Sequence, residues 1–243
     1  MLTDSELQDF QENGFLVFEA LISGERLAWY NTVSDQLVER GRSLKVSDKK
    51  WNLELDRREE PIPGMLHKIQ AVCVEEPRIL ELAREPAIVE RARCLVGVDF
   101  DVFGTKFFPK LPRLGTSTRW HQDNYYFGTV SDRILSCGIY LEDTDCENGC
   151  LRVVPGSHLS GQIAEHVKDG KTYGSWTRVD ESAALDLVVP GGTVVFFSAN
   201  LLHGSYDNTS DRTRYSTAWH YIPGDVNPPE FKRGVYEDRH PVC

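Results

Sequence analysis

The chain has 243 residues and a formal net charge of −10 from 27 basic and 37 acidic side chains. This balance argues against a protein that works by neutralising nucleic-acid phosphates or by adhering to an anionic membrane. Hydrophobic residues at 40% and charged residues at 26% are proportions of a folded domain rather than a disordered chain, and apolar runs such as 194–197 fall far short of the roughly 18 residues a membrane helix needs.

Barrels and sandwiches of about 200 to 250 residues commonly form one unit, so residues 1–243 read as a single domain. Met1-Leu2-Thr3-Asp4-Ser5-Glu6 has neither the basic start nor the apolar run of a secretory signal. The cysteines (Cys73, Cys94, Cys137, Cys146, Cys150, Cys243) are dispersed, and a chain of this length does not need staples. The expectation is a cytoplasmic protein with reduced thiols. Cys146 and Cys150 lack the second pair that a zinc knuckle requires.

Residues 1–97 read as mainly helical support. Thr3 with Glu6 has capping-box spacing and Gly14 can close that helix before an extended Phe15-Leu16-Val17-Phe18. Ser23 can cap a second helix with Leu27, Tyr30, Val33 and Leu37 at helical spacing and Gly41 as its stop. Two more helices start at Pro77 and Pro86, each proline suited to a first turn. Between them, residues 42–65 are charged, hold Pro61 and Pro63 and sustain no period, which reads as a long loop serving as a substrate-facing lid.

From Val98 to Ile222 the period changes to two. Runs at 101–108, 119–127, 134–141, 151–154, 185–189, 193–197 and 214–222 are separated by clusters of Gly, Pro, Asn and Asp. Many short strands at this spacing fit a sandwich or jelly roll, with the helices packed outside one β-core. Residues 223–243 read as a C-terminal tail.

Trp120-His121-Gln122-Asp123 lies on an expected strand, where residues i and i+2 face the same way, so His121 and Asp123 can chelate one ion. His203, beyond the apolar strand 193–197, supplies a third ligand. Two His and one carboxylate with open positions form the facial triad of non-heme Fe(II) oxygenases, whose vacancies admit a 2-oxo acid and then O2. Arg214 follows 11 residues after His203. A guanidinium pointing into a barrel needs an anion, and the far carboxylate of 2-oxoglutarate matches its two-pronged geometry.

With these residues the sequence resembles the phytanoyl-CoA dioxygenase (PhyH) family of Fe(II)/2-oxoglutarate-dependent oxygenases. The resemblance rests on Phe10-Gln11-Glu12-Asn13-Gly14-Phe15-Leu16-Val17, Leu66-His67-Lys68-Ile69-Gln70, the His121 and Asp123 motif, Glu147-Asn148-Gly149-Cys150-Leu151, Pro155-Gly156-Ser157-His158, Pro190-Gly191-Gly192-Thr193, and His203-Gly204-Ser205 through Arg214, in family order. It implies an α+β fold with a double-stranded β-helix (jelly-roll, cupin-like) core. It also implies iron on His121, Asp123 and His203, the far carboxylate of 2-oxoglutarate on Arg214 and Ser205, and a cosubstrate contact from Lys68. Lys106 or Lys110, which share a face at period two, is expected to line the same pocket, and Gly138 stands where some relatives carry a bulkier side chain. Asn124, Tyr125, Tyr126 and Arg152 are candidate substrate contacts. His158, His67, His166, His220 and His240 show no comparable pairing in the sequence.

The implied activity is oxidation, by default hydroxylation, of a C–H bond in a small organic metabolite with release of succinate and CO2. Two rivals use the same residues: a jelly-roll Zn-dependent hydrolase, which has no need of a buried Arg214, and a non-catalytic metal- or ligand-binding domain.

Overall fold

The computed structural model describes residues 1–168 and 174–242, so Cys243 lies outside the described residues. Thr3 caps the first helix, α1 (Asp4–Asn13), by accepting from the Glu6 N–H while Glu6 reaches back to it, and Gly14 ends it. The chain then enters β1 (Phe15–Phe18) and α2 (Gly24–Arg42), whose Tyr30, Val33, Leu37 and Val38 are buried. Short α3 (Val72–Glu75), α4 (Pro77–Ala83) and α5 (Pro86–Val96) follow, the last two opening on the expected prolines.

The residues expected to form a lid loop are largely a hairpin. β2 (Trp51–Leu55) and β3 (Pro61–Gln70) pair antiparallel and extend a sheet. Their register shifts twice, which hides the period of two, and β3 tolerates its prolines because Pro61 is its first residue and because it meets β4 (Phe100–Phe108) only at Ile69 and Gln70.

A large antiparallel sheet has the order β1-β8-β5-β10-β4-β3-β2, with β5 at Leu135–Tyr140, β8 at Thr193–Ser198 and β10 at Ser216–Pro223. The expected tail contributes a strand, β11 (Arg239–Pro241), against β4, and Arg239 forms a buried ion pair with Asp101. A small sheet, β7-β6-β9, joins Leu185–Leu187, Leu151–Val153 and His203–Ser205.

Alternation decides which side chains meet the helices and which the second sheet. Cys137, Ile139, Val194, Phe196, Trp219 and Tyr221 of the large sheet pack with Tyr30, Val33, Leu37, Ile79, Leu82, Ile88 and Ala92 of the helices. On the other face Tyr140, Val195 and Phe197 pack with Leu151 and Val153 of the small sheet. This is a jelly roll with its helices on the outside, and the inner layer between the sheets holds the site. Among the described residues no helix is long and apolar enough to cross a membrane.

Candidate active site

His121 and His203 meet through an isolated antiparallel bridge, each backbone N–H bonding the other's carbonyl at 2.9 and 3.0 Å. The expected strand 119–127 is thus reduced to a bridge. At Asp123 the chain turns into a short helix, α6 (Asp123–Phe127), ended by Gly128 at φ 62°, because aromatic residues in a β-prone run were free to pack as a helical turn instead.

The local result still brings the three side chains together. His121 Nε2 is 3.5 Å from Asp123 Oδ1 and His203 Nε2 is 3.7 Å from Asp123 Oδ2, all three residues are buried, and their ligand atoms lie within 4.8 Å of one another. Each imidazole is anchored in the same way, Nδ1 donating to the carbonyl two residues earlier: Arg119 O at 2.8 Å for His121 and Leu201 O at 3.0 Å for His203. That tautomer leaves both Nε2 atoms as lone pairs aimed at a carboxylate. Three acceptors converging in a buried space repel one another unless a cation sits among them. Burial pushes the His203 pKa down to about 4, which favours the neutral form that ligates.

Arg214 lies just before β10, 4% exposed. Its Nη1 donates to Ser216 Oγ, its guanidinium lies 5.6 Å from the Tyr140 ring centroid, and its Nε has no hydrogen-bond partner among the described residues. Burial pulls its pKa below the ordinary guanidinium value, and among the described residues no carboxylate forms an ion pair with it. Ser205 shares the face of His203 on β9, and its Oγ accepts from the Thr118 N–H at 3.0 Å.

The lysines divide. Burial first, then the charge of Lys106, brings Lys68 down to about 8, so these two cations lie near each other. Lys106 Nζ lies 3.2 Å from His220 Nε2. Lys110 instead donates to the carbonyls of Thr116 and Tyr206 and braces that loop, so of the two alternatives Lys106 is the one beside the triad.

The substrate candidates separate as well. Tyr126 sits edge-on to His121 at 5.7 Å, and its hydroxyl exchanges two hydrogen bonds with the backbone of Ser175. Tyr125 stacks on His166 at 4.1 Å. Asn124 is fully buried, its amide donating to Ser131 O and Asn200 Oδ1, and has no surface to offer a substrate. Arg152 is also displaced from the role expected of it. It pairs across from Gly204 while Leu151 and Val153 pair with Ser205 and His203, so alternation turns Arg152 to the opposite face, where Glu181 and Asp186 neutralise it and Trp120 and Tyr206 cover it.

Three residues that sequence reasoning left out belong here. Tyr140 fills the wall at Gly138, where an added Cβ would meet its hydroxyl at 3.5 Å. Ser136 Oγ donates to Asp123 Oδ2 at 2.7 Å and lies 3.0 Å from His220 Nδ1. The signal for His220 was present: Arg214, Ser216, Ala218 and His220 alternate onto one face of one run.

The model of a family described as phytanoyl-CoA dioxygenase (PhyH) matches residues 10–216. An ectoine dioxygenase of Bordetella parapertussis is 29% identical over 259 residues, covering 95% of this chain and 79% of the relative. The human peroxisomal phytanoyl-CoA dioxygenase is 25% identical, covering 93% and 70% respectively. Among solved structures, that of EctD from S. alaskensis with 2-oxoglutarate and 5-hydroxyectoine superposes with a TM-score of 0.72 at 21% identity, covering 96% of this chain and 81% of that one.

Proposed function

The chain belongs to the phytanoyl-CoA dioxygenase family of Fe(II)- and 2-oxoglutarate-dependent oxygenases, and from that premise we propose that His121, Asp123 and His203 hold its iron while Arg214, Ser205 and Lys68 receive 2-oxoglutarate. The reaction is oxidation of a C–H bond, hydroxylation by default, in a small organic metabolite. When bound, Fe(II) would activate O2, the oxidant, with 2-oxoglutarate as the two-electron co-reductant that leaves as succinate and CO2. The observation that carries the reading is Arg214: a buried guanidinium with an unpartnered Nε, set in the same inner layer as the triad. A Zn-dependent hydrolase would leave that cation without a purpose.

What the chain's own groups do follows from their placement. The two anchored imidazoles present Nε2 lone pairs without having to reorganise, and Asp123 supplies the compensating negative charge. Arg214 offers a planar fork to one carboxylate, which fixes the direction of the cosubstrate. Tyr126, held by Ser175, stands edge-on to the His121 ring.

The test is succinate formation by anaerobically loaded enzyme on admission of O2, with and without Fe(II), across a panel of small organic acids, amino acids and their derivatives. Turnover is expected to need Fe(II), and one substrate class is expected to stimulate it. His121→Ala is expected to abolish it; unaltered succinate formation in that variant would remove His121 from the site.

A further inference from the structure

Resting on the reading of Asp123 as an iron ligand, we propose that Lys106, His220 and Ser136 form a directed chain of hydrogen bonds that positions the Asp123 carboxylate, with Ser136 as the residue that ties back one of its two oxygens. Lys106 thereby serves the metal's carboxylate rather than the cosubstrate.

The contacts run in one line. Lys106 Nζ is 3.2 Å from His220 Nε2, His220 Nδ1 is 3.0 Å from Ser136 Oγ, and Ser136 Oγ is 2.7 Å from Asp123 Oδ2. His220 Nδ1 itself lies 3.7 Å from Asp123 Oδ2, beyond hydrogen-bond distance, so the contact between them passes through the serine.

The chemistry of the two ends fixes the direction of every link. A carboxylate only accepts, so Ser136 spends its single hydroxyl hydrogen on Asp123. Its oxygen can then only accept from His220, which places the imidazole proton on Nδ1 and leaves Nε2 as an acceptor. An ammonium only donates, and Lys106 is the donor that Nε2 requires. All four residues fit one arrangement of protons.

The sheet is shaped to hold this line. Ser136 on β5 and His220 on β10 are cross-strand partners, and Lys106 on β4 lies across from Ala218. The β4–β10 register slips between Ala218 and His220, a bulge that re-aims a side chain. Gly104 stands in it at φ +60°, and a Cβ there would come within 3.1 Å of His220 Cδ2. With Oδ2 held by Ser136, Oδ1 is left to ligate. A carboxylate closing with both oxygens would take a position that the cosubstrate or O2 needs.

The experiment uses Co(II) on the full chain under anaerobic conditions, with affinity from competition against a chromophoric chelator and coordination from the visible absorption bands. Ser136→Ala is expected to weaken Co(II) binding by about 10- to 100-fold, the range for lost support of a metal ligand. Its bands are expected to shift as the carboxylate is released, a change that mere loss of stability does not produce. Ser136→Thr, which keeps the hydroxyl, should restore both. Lys106→Met should weaken metal binding in the same direction while the 2-oxoglutarate affinity of the metal-saturated protein stays unchanged, and it carries the test alone if Ser136→Ala does not fold. Wild-type affinity and bands in Ser136→Ala would overturn the proposal. So would a Lys106→Met variant that loses 2-oxoglutarate affinity with metal binding intact, since that places Lys106 on the cosubstrate. A wild-type protein that takes up no Co(II) or Fe(II) would instead overturn the metal-site reading beneath it.

Discussion

Arg214 is the residue whose chemistry is least compatible with a purely structural role, since a buried guanidinium without an anion is costly. Losing a charge-assisted bond to a carboxylate costs roughly 1.5 to 3 kcal/mol, or about 10- to 100-fold in affinity. Arg214→Ala is therefore expected to raise the dissociation constant for 2-oxoglutarate by that factor while iron binding persists, and Arg214→Lys to recover only part of it, because an ammonium lacks the fork. The absorbance of the anaerobic Fe(II)–cosubstrate complex reads this directly, and wild-type affinity in Arg214→Ala would remove the arginine from the cosubstrate. Lys68 adds a pH dependence. Burial, then Lys106, brings it from 10.5 to about 8, so between those values the unfolded chain holds a proton that the folded one has shed. Its contribution to stability rises with pH across that window, whereas its affinity for a carboxylate, which needs the ammonium, falls above pH about 8. Lys68→Met should flatten both slopes in cosubstrate titrations and melting curves taken on either side of pH 8; an unchanged pH dependence of binding would detach Lys68 from the ligand.

At the scale of elements, the loop 190–192 fastens the N-terminal segment to the barrel beyond the end of the β1–β8 ladder. Ile22 N–H donates to Gly192 O and Gly192 N–H to Tyr140 O, and a Cβ at Gly192, at φ +83°, would lie 1.8 Å from Ile22 O. Gly192→Ala combines a positive φ with an overlap against backbone, and overpacking of this kind costs about 1 to 3 kcal/mol. A lower melting temperature is expected, and one equal to wild type would mean that β1 and α2 are not held through this contact. Helix α2 was legible because its one buried face imposes a helical period, and β10, buried on both faces, was legible instead as a β-rich run bounded by turn residues. The hairpin β2–β3 escaped because register shifts break its alternation and because Glu54, a charged residue, is buried there by bonds to Thr116 and His67. Asp123 was legible as a partner of His121 although its element was not. The carboxylate reaches the imidazole from the first turn of α6 rather than along a strand. Arg152 was misread for lack of the register that turns it away from His203.

At the scale of the whole molecule, the proposed ligands come from separate parts of the jelly roll. His203 belongs to the small sheet, Arg214 leads into β10 of the large one, Lys68 lies on β3, and His121 with Asp123 lies on the connection between β4 and β5. A metal with its cosubstrate would thus cross-link both sheets, a set of contacts available only to the folded chain. Binding to the native state alone stabilises by about 2.7 kcal/mol when the free ligand is 100 times its dissociation constant. For a chain of this size each kcal/mol moves the melting temperature by about 2 to 4 °C, so Fe(II) and 2-oxoglutarate under nitrogen, each at about 100 times its dissociation constant and together contributing about 5.4 kcal/mol, should raise it by about 11 to 22 °C. The rise should be dissected by variants: Arg214→Ala keeps the part due to metal and about half or less of the part due to cosubstrate, His203→Ala loses both, and a chelator returns the wild type to its apo value. Differential scanning fluorimetry suffices, and an undiminished rise in His203→Ala would mean that the ions bind elsewhere on this acidic surface.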